Sequence, residues 1–118
     1  MKKIGLIILV VAMAFGMAGC AKDHHDADPV GTWVISWDWE CDGTAGLTLW
    51  HIYTGGSFID DFGGGGTWAV DRSDITLTYD SGNIYGGTVD GDSMDGTMIQ
   101  AGTGRSGCWA AERSSHTP

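Results

Sequence analysis

Residues 65–98 read GGTWAVDRSDITLTYDSGNIYGGTVDGDSMDGTM, four short alternating segments separated by Asp, Ser, Gly and Asn. Ile75, Leu77 and Tyr79 fall on one face and Thr76 and Thr78 on the other, the period of a half-buried strand. The gaps at 71–74, 80–83 and 90–93 have the length and residue types of tight turns. Such a run is an antiparallel meander, and the chain on either side continues it. Strands are expected near 30–39, 45–54, 57–62, 67–71, 74–79, 84–89, 94–100 and 108–113. No window after the first twenty residues shows a helical apolar face, and 20 glycines argue against helices. The expected fold is all-β, a small up-and-down antiparallel meander barrel of about eight strands behind a cleaved N-terminal signal helix.

The first strand carries Trp33, Ile35, Trp37 and Trp39 on the parity of Gly31, so that face is the core side. The second carries Leu47, Leu49, His51 and Tyr53 against Thr48, Trp50 and Ile52. Both faces are partly apolar, and its inside cannot be read from pattern; Trp50 is taken as an outward platform. Four consecutive glycines at 63–66 precede no Lys-Ser/Thr and no helix, so they read as a hairpin loop rather than a phosphate cradle.

The N-terminus is a separate object. Lys2 and Lys3 precede an apolar run that is too short and wrongly flanked to span a membrane, and the run ends Met17-Ala18-Gly19-Cys20. This ending resembles the lipobox of bacterial lipoproteins. The resemblance implies cleavage after residue 19, acylation of Cys20 and a firm membrane anchor. The envelope is then the expected compartment. Ala21 in place of Asp after the lipidated cysteine favours the outer membrane by the rule of enteric lipoproteins. Residues 20–29 read as a lipidated polar tether, 30–113 as the barrel and 114–118 as a frayed tail. His24 and His25 beside Asp23, Asp26 and Asp28 have metal-donor chemistry without fixed geometry, and a solvated linker is the better account.

Removing the leader moves the formal charge from −9 to −11. A chain so acidic repels phosphate backbones, which excludes nucleic acid as a partner. With Cys20 assigned to lipid, an exported chain favours a disulfide between Cys41 and Cys108; free thiols or a metal pair are the alternatives. In a meander with an even number of strands the last lies antiparallel to the first. Cys41 and Cys108 then meet at one end of the sheet, and a bridge between them, which needs Cα atoms within about 7 Å, favours closure.

Gly31-Thr32-Trp33, Gly66-Thr67-Trp68 and Gly107-Cys108-Trp109 echo one another, and the last runs on to Arg113. With the strand Ile-Thr-Leu-Thr-Tyr, these motifs make residues 30–113 resemble the lipocalin-like and avidin-like barrels. The resemblance implies that Arg113 packs over Trp33 at a closed end and that a small apolar or aromatic ligand enters at the other. Trp39, Trp50 and Tyr53 are the candidate ligand-binding residues. Classical lipocalins are nearly twice as long and carry a helix absent here, and side chains nearly fill a barrel of such short strands. Ser81-Gly82-Asn83-Ile84-Tyr85 also resembles the Ser-Gly-x-x-Tyr loop of membrane-bound lysozyme inhibitors, making Ser81, Gly82 and Tyr85 a candidate interaction loop. The Tyr-Thr-Lys-Gly motif of that family is missing.

No catalytic constellation is read. Asp60 and Asp61 point to opposite faces of a strand, and His51 has no evident nucleophile with an orienting acid. Asp90-Gly91-Asp92-Ser93-Met94-Asp95-Gly96 departs from the calcium-loop pattern in its third acid and has Ala101 where that loop has Glu. The expectation is a non-enzymatic binding protein with no cofactor and no metal.

Overall fold

Eight strands, each paired antiparallel with its sequence neighbour, form β1 (Gly31–Trp39), β2 (Gly46–Tyr53), β3 (Ser57–Asp60), β4 (Gly65–Asp71), β5 (Asp74–Tyr79), β6 (Ile84–Asp90), β7 (Ser93–Ile99) and β8 (Ser106–Ser115). β8 returns to β1, so the sheet is a closed barrel with no free edge. These are the features of a computed structural model, which describes residues 26–118. The expected leader, the lipidation site Cys20, and His24 and His25 lie outside the described residues.

Alternation decides which side chains enter. Ile75 and Leu77 of β5, Val89 of β6, Met94 and Met98 of β7, and Trp109 and Ala111 of β8 are buried, while their neighbours face out. In β2 the inward residues are Trp50 and Ile52, which corrects the outward reading of Trp50. Cross-strand partners share a face, and Trp50 lies opposite Trp33, so the core side of β1 sets the core side of β2. Leu47 is correspondingly 66% exposed. The core is a ring cluster: Trp50, Phe58, Tyr79, Tyr85 and Trp109 meet with centroids 5.0–6.1 Å apart in edge-on or tilted pairs.

Two glycines are fixed by close approach. Gly65 and Gly66 are strand residues rather than a flexible loop, and a Cβ at Gly66 would fall on the Thr78 carbonyl across the ladder. Gly46 lies opposite Trp37, whose ring rests where a Cβ would stand.

The end of the barrel containing Gly31 is shut. The Arg113 guanidinium carbon lies 4.5 Å from the Trp33 ring centroid. Its nitrogens donate to the carbonyls of Asp28, Val30 and Gly91 and to the Asp92 carboxylate, at 2.8–3.0 Å. Residues 26–29 are a strap here, which corrects the reading of this stretch as solvated tether. Ala27 N–H donates to the Arg72 carbonyl at 2.7 Å, the Asp26 carboxylate accepts from Arg72 N–H at 2.8 Å, and the Pro29 carbonyl accepts from the Trp33 indole at 2.8 Å. The tail is also held. β8 extends through Ser115, and the Thr32 hydroxyl donates to the Thr117 carbonyl at 2.9 Å.

At the opposite end Cys41 and Cys108 form a disulfide with Cα atoms 5.3 Å apart. It joins the turn after β1 to the start of β8, across the seam where the meander closes. Glu40 and Cys41 have φ of 69° and 55°, a left-handed turn. The turn is held by the Asp38 carboxylate, which accepts from the N–H groups of Asp42 and Gly43.

Candidate functional site

The disulfide end opens into a cavity of about 320 Å³ between the ends of the strands. Half of its lining is aromatic, with Trp37 and Trp39 from β1, Trp50 from β2, Tyr79 from β5, Tyr85 from β6 and Phe62 from the turn after β3, and polar Ser81, Asn83 and Gln100 complete the rim. Trp37 and Phe62 meet edge-on at 6.1 Å on the rim. Trp39 carries the Arg105 guanidinium 5.1 Å from its ring centroid, and Arg105 pairs with Glu40 at 3.6 Å.

A hydrogen-bonded string runs through this aromatic wall. The Trp50 indole donates to the Tyr79 hydroxyl at 2.8 Å, and that hydroxyl donates to Asp60 Oδ2 at 2.9 Å. Asp60 Oδ1 accepts from the N–H groups of Phe62 and Gly64 at 2.9 and 2.8 Å. Burial pushes the Tyr79 hydroxyl well above the ordinary tyrosine range; the Trp50 indole pulls against this, and the Asp60 carboxylate adds to it. Burial, with a smaller push from the Asp60 charge, takes Tyr85 up to about 12. Both phenols are therefore neutral donors at physiological pH. The Thr48 hydroxyl, also in the cavity wall, is buried and has no hydrogen-bond partner among the described residues. An unpaired buried hydroxyl is costly, and a bound group can satisfy it.

The sequence-predicted residues divide between the two ends. Trp39 and Trp50 line the cavity, whereas Tyr53 sits at the far end of β2 and lends only its backbone carbonyl, to the Trp68 indole at 2.8 Å. Ser81 lines the cavity rim, and Gly82 has φ 102° in the β5–β6 turn. Tyr85 is 6% exposed and points into the barrel, because it is paired with inward Leu77 and Met98. It is a wall residue, which corrects its reading as part of an exposed loop. Gly31, Trp33 and Arg113 belong to the shut end. Trp109 spans the core, its indole donating to the carbonyls of Gly86 and Thr97. Gly107, Gly66 and Trp68 are strand residues around the same interior.

Asp60, Tyr79 and Thr48 went unread as site residues. Their parity was available: Tyr79 shares the face of Ile75 and Leu77, and Asp60 that of buried Phe58. Asp61, in the turn after β3, lies on the outer face, where its carboxylate accepts from His51 Nε2 at 2.9 Å. Thr32 Oγ1 lies 3.3 Å from His51 Nδ1 on the same outer face. The Thr32 hydroxyl donates to the Thr117 carbonyl, so this string ties β1, β2 and the tail together. The aspartates of residues 90–96 lie in and beside the β6–β7 hairpin, where Asp92 is an Arg113 partner.

A larger depression of about 580 Å³ lies on the outer face of β1, β2 and β8. Its side chains, among them Val34, Leu47 and Ala110, point away from the core, and no string of polar groups converges on it. No family model matches the sequence, and none of the curated proteins does.

Proposed function

We propose that the chain is a small-molecule binding module of the bacterial cell envelope, working as lipocalin-like barrels do, with its ligand entering at the Trp37–Trp39 end. The observation that carries this reading is the contrast within one barrel: one end is plugged by Arg113 and the strap, while the other holds an aromatic cavity with a convergent carboxylate and an unpaired hydroxyl. Binding is the role this reading assigns to the cavity.

The test is tryptophan emission of the full chain titrated with an uncharged hydrophobic dye. Binding shifts or quenches the emission, and Trp39→Ala weakens the response. An emission spectrum that stays unchanged at saturating dye removes the reading.

The anchor is part of the proposal. Lipid on Cys20 holds the barrel at a membrane surface, with the outer membrane the favoured one. Labelled palmitate then enters the wild-type chain in a bacterial host and is absent from Cys20→Ser. An envelope protein partner, such as a lysozyme or protease, is the weaker alternative. Its support was the Ser81–Tyr85 segment as a presented loop, and Tyr85 lies inside the barrel.

A further inference from the structure

Resting on that binding reading, we propose that the cavity takes an organic ammonium ion, with an aromatic or alkyl body between the rings of Trp37, Trp39 and Tyr85 and the charged nitrogen beside Asp60.

Three features of the site point to positive charge. The first is the wall itself. The faces of tryptophan and tyrosine rings are negative and attract cations, and a set of such rings around one space is the arrangement that holds an ammonium group. The barrel already uses this pairing at both ends, with Arg113 on Trp33 and Arg105 on Trp39.

The second feature is an unbalanced charge. Ion pairs among the described residues join His51 and His116, Arg105 and Arg113 to Asp61, Asp92 and Glu40. None includes Asp60. Its three contacts are a phenol and two backbone N–H groups, all neutral donors, which hold the carboxylate in place without cancelling its charge. A cation arriving from solvent is its first full counter-charge.

The third is the Thr48 hydroxyl, buried in the cavity wall and unpartnered, which an ammonium N–H can satisfy by donation. The same chemistry argues against anionic ligands. A carboxylate or phosphate would meet Asp60 in an aromatic recess on a chain of formal charge −9, and Arg105 is engaged by Glu40 on the other side of Trp39.

The experiment compares three soluble probes that share one aromatic body: 2-phenylethylammonium, 2-phenylethanol and phenylacetate. Each is titrated into the full chain and followed by tryptophan emission. The ammonium is expected to bind about tenfold more tightly than the alcohol, and phenylacetate more weakly than either. Asp60→Asn keeps an acceptor for the Phe62 and Gly64 N–H groups and is expected to bring ammonium and alcohol to equal affinity. Thr48→Val, which needs no new packing, is expected to weaken the ammonium about threefold and the alcohol less.

Equal or tighter binding of the alcohol to the wild-type chain overturns the cation proposal while leaving the cavity a binding site. Retention of the tenfold preference in Asp60→Asn overturns it as well, by placing charge recognition elsewhere. Loss of response to every probe and to the uncharged dye removes the binding reading together with the proposal.

Discussion

Each end of the barrel sets an arginine on a tryptophan, and the two pairs behave differently. At the shut end the Arg113 side chain is 7% exposed, and three carbonyls and a carboxylate hold its guanidinium. At the open end the Arg105 side chain is 42% exposed and has one ion pair, at 3.6 Å. The ring–cation attraction is similar in kind, but the surroundings decide its use. Saturated with acceptors, the guanidinium becomes a plug joining the strap, β1, β8 and the β6–β7 turn. With one weak partner in solvent, it covers the outer side of one ring and leaves the cavity accessible.

Substitutions test how far that contrast extends, and the largest effect is expected at the plug. Trp33→Ala empties a fully buried site beneath Arg113 and should cost about 3–5 kcal/mol in denaturant unfolding, against less than about 1 kcal/mol for Trp39→Ala. Near-equal losses would erase the distinction between the ends. Replacing Cys41 and Cys108 together by Ser should cost about 2–4 kcal/mol, since their bond closes a span of 67 residues. Hydrogen exchange should then show β1 and β8 opening first at the Trp39 end.

Arg113→Gln is expected to lower stability by about 2 kcal/mol and to release residues 26–29 to proteolysis. Arg105→Gln should leave the unfolding midpoint nearly unchanged.

The open end has an alkaline signature. An unfolded tyrosine loses its proton near its ordinary value of 10.0, while Tyr85 in the barrel holds its own to about 12 and Tyr79 is shifted the same way. Between those values the unfolded chain binds fewer protons than the folded one, so stability falls as pH rises through the window. Tyrosinate absorbance measured alongside circular dichroism should show these two phenols ionising only as the barrel opens. Tyr79→Phe should cost about 1 kcal/mol, because it orphans the Trp50 indole while keeping the ring.

The strands, the closed meander and the disulfide were legible because each follows from local rules. Alternation and turn residues mark β5, β6 and β7, and an even-numbered meander brings Cys41 to Cys108. The facing of β2 was not legible, since Leu47 and Leu49 are as apolar as Trp50 and Ile52; pairing with Trp33 decides it. The strap was missed for a different reason. Residues 26–29 are held by backbone hydrogen bonds and one carboxylate, which leave no apolar period in the sequence. The cavity was half legible. Its tryptophans stand out in composition, but Asp60 meets Tyr79 from a strand that is not its ladder neighbour. That meeting depends on the stagger of the closed sheet rather than on spacing along the chain.

The Cys41–Cys108 bond also changes what kind of molecule the chain is. Residues 41–108 form a covalent ring that contains β2 through β7 entire, with β1 and most of β8 leaving it as two arms paired along their length. A protease that cuts the exposed Ser81–Gly82 turn opens this ring without dividing the molecule, and two fragments part only after the bond is reduced. A single cut in that turn therefore leaves the barrel one covalent molecule.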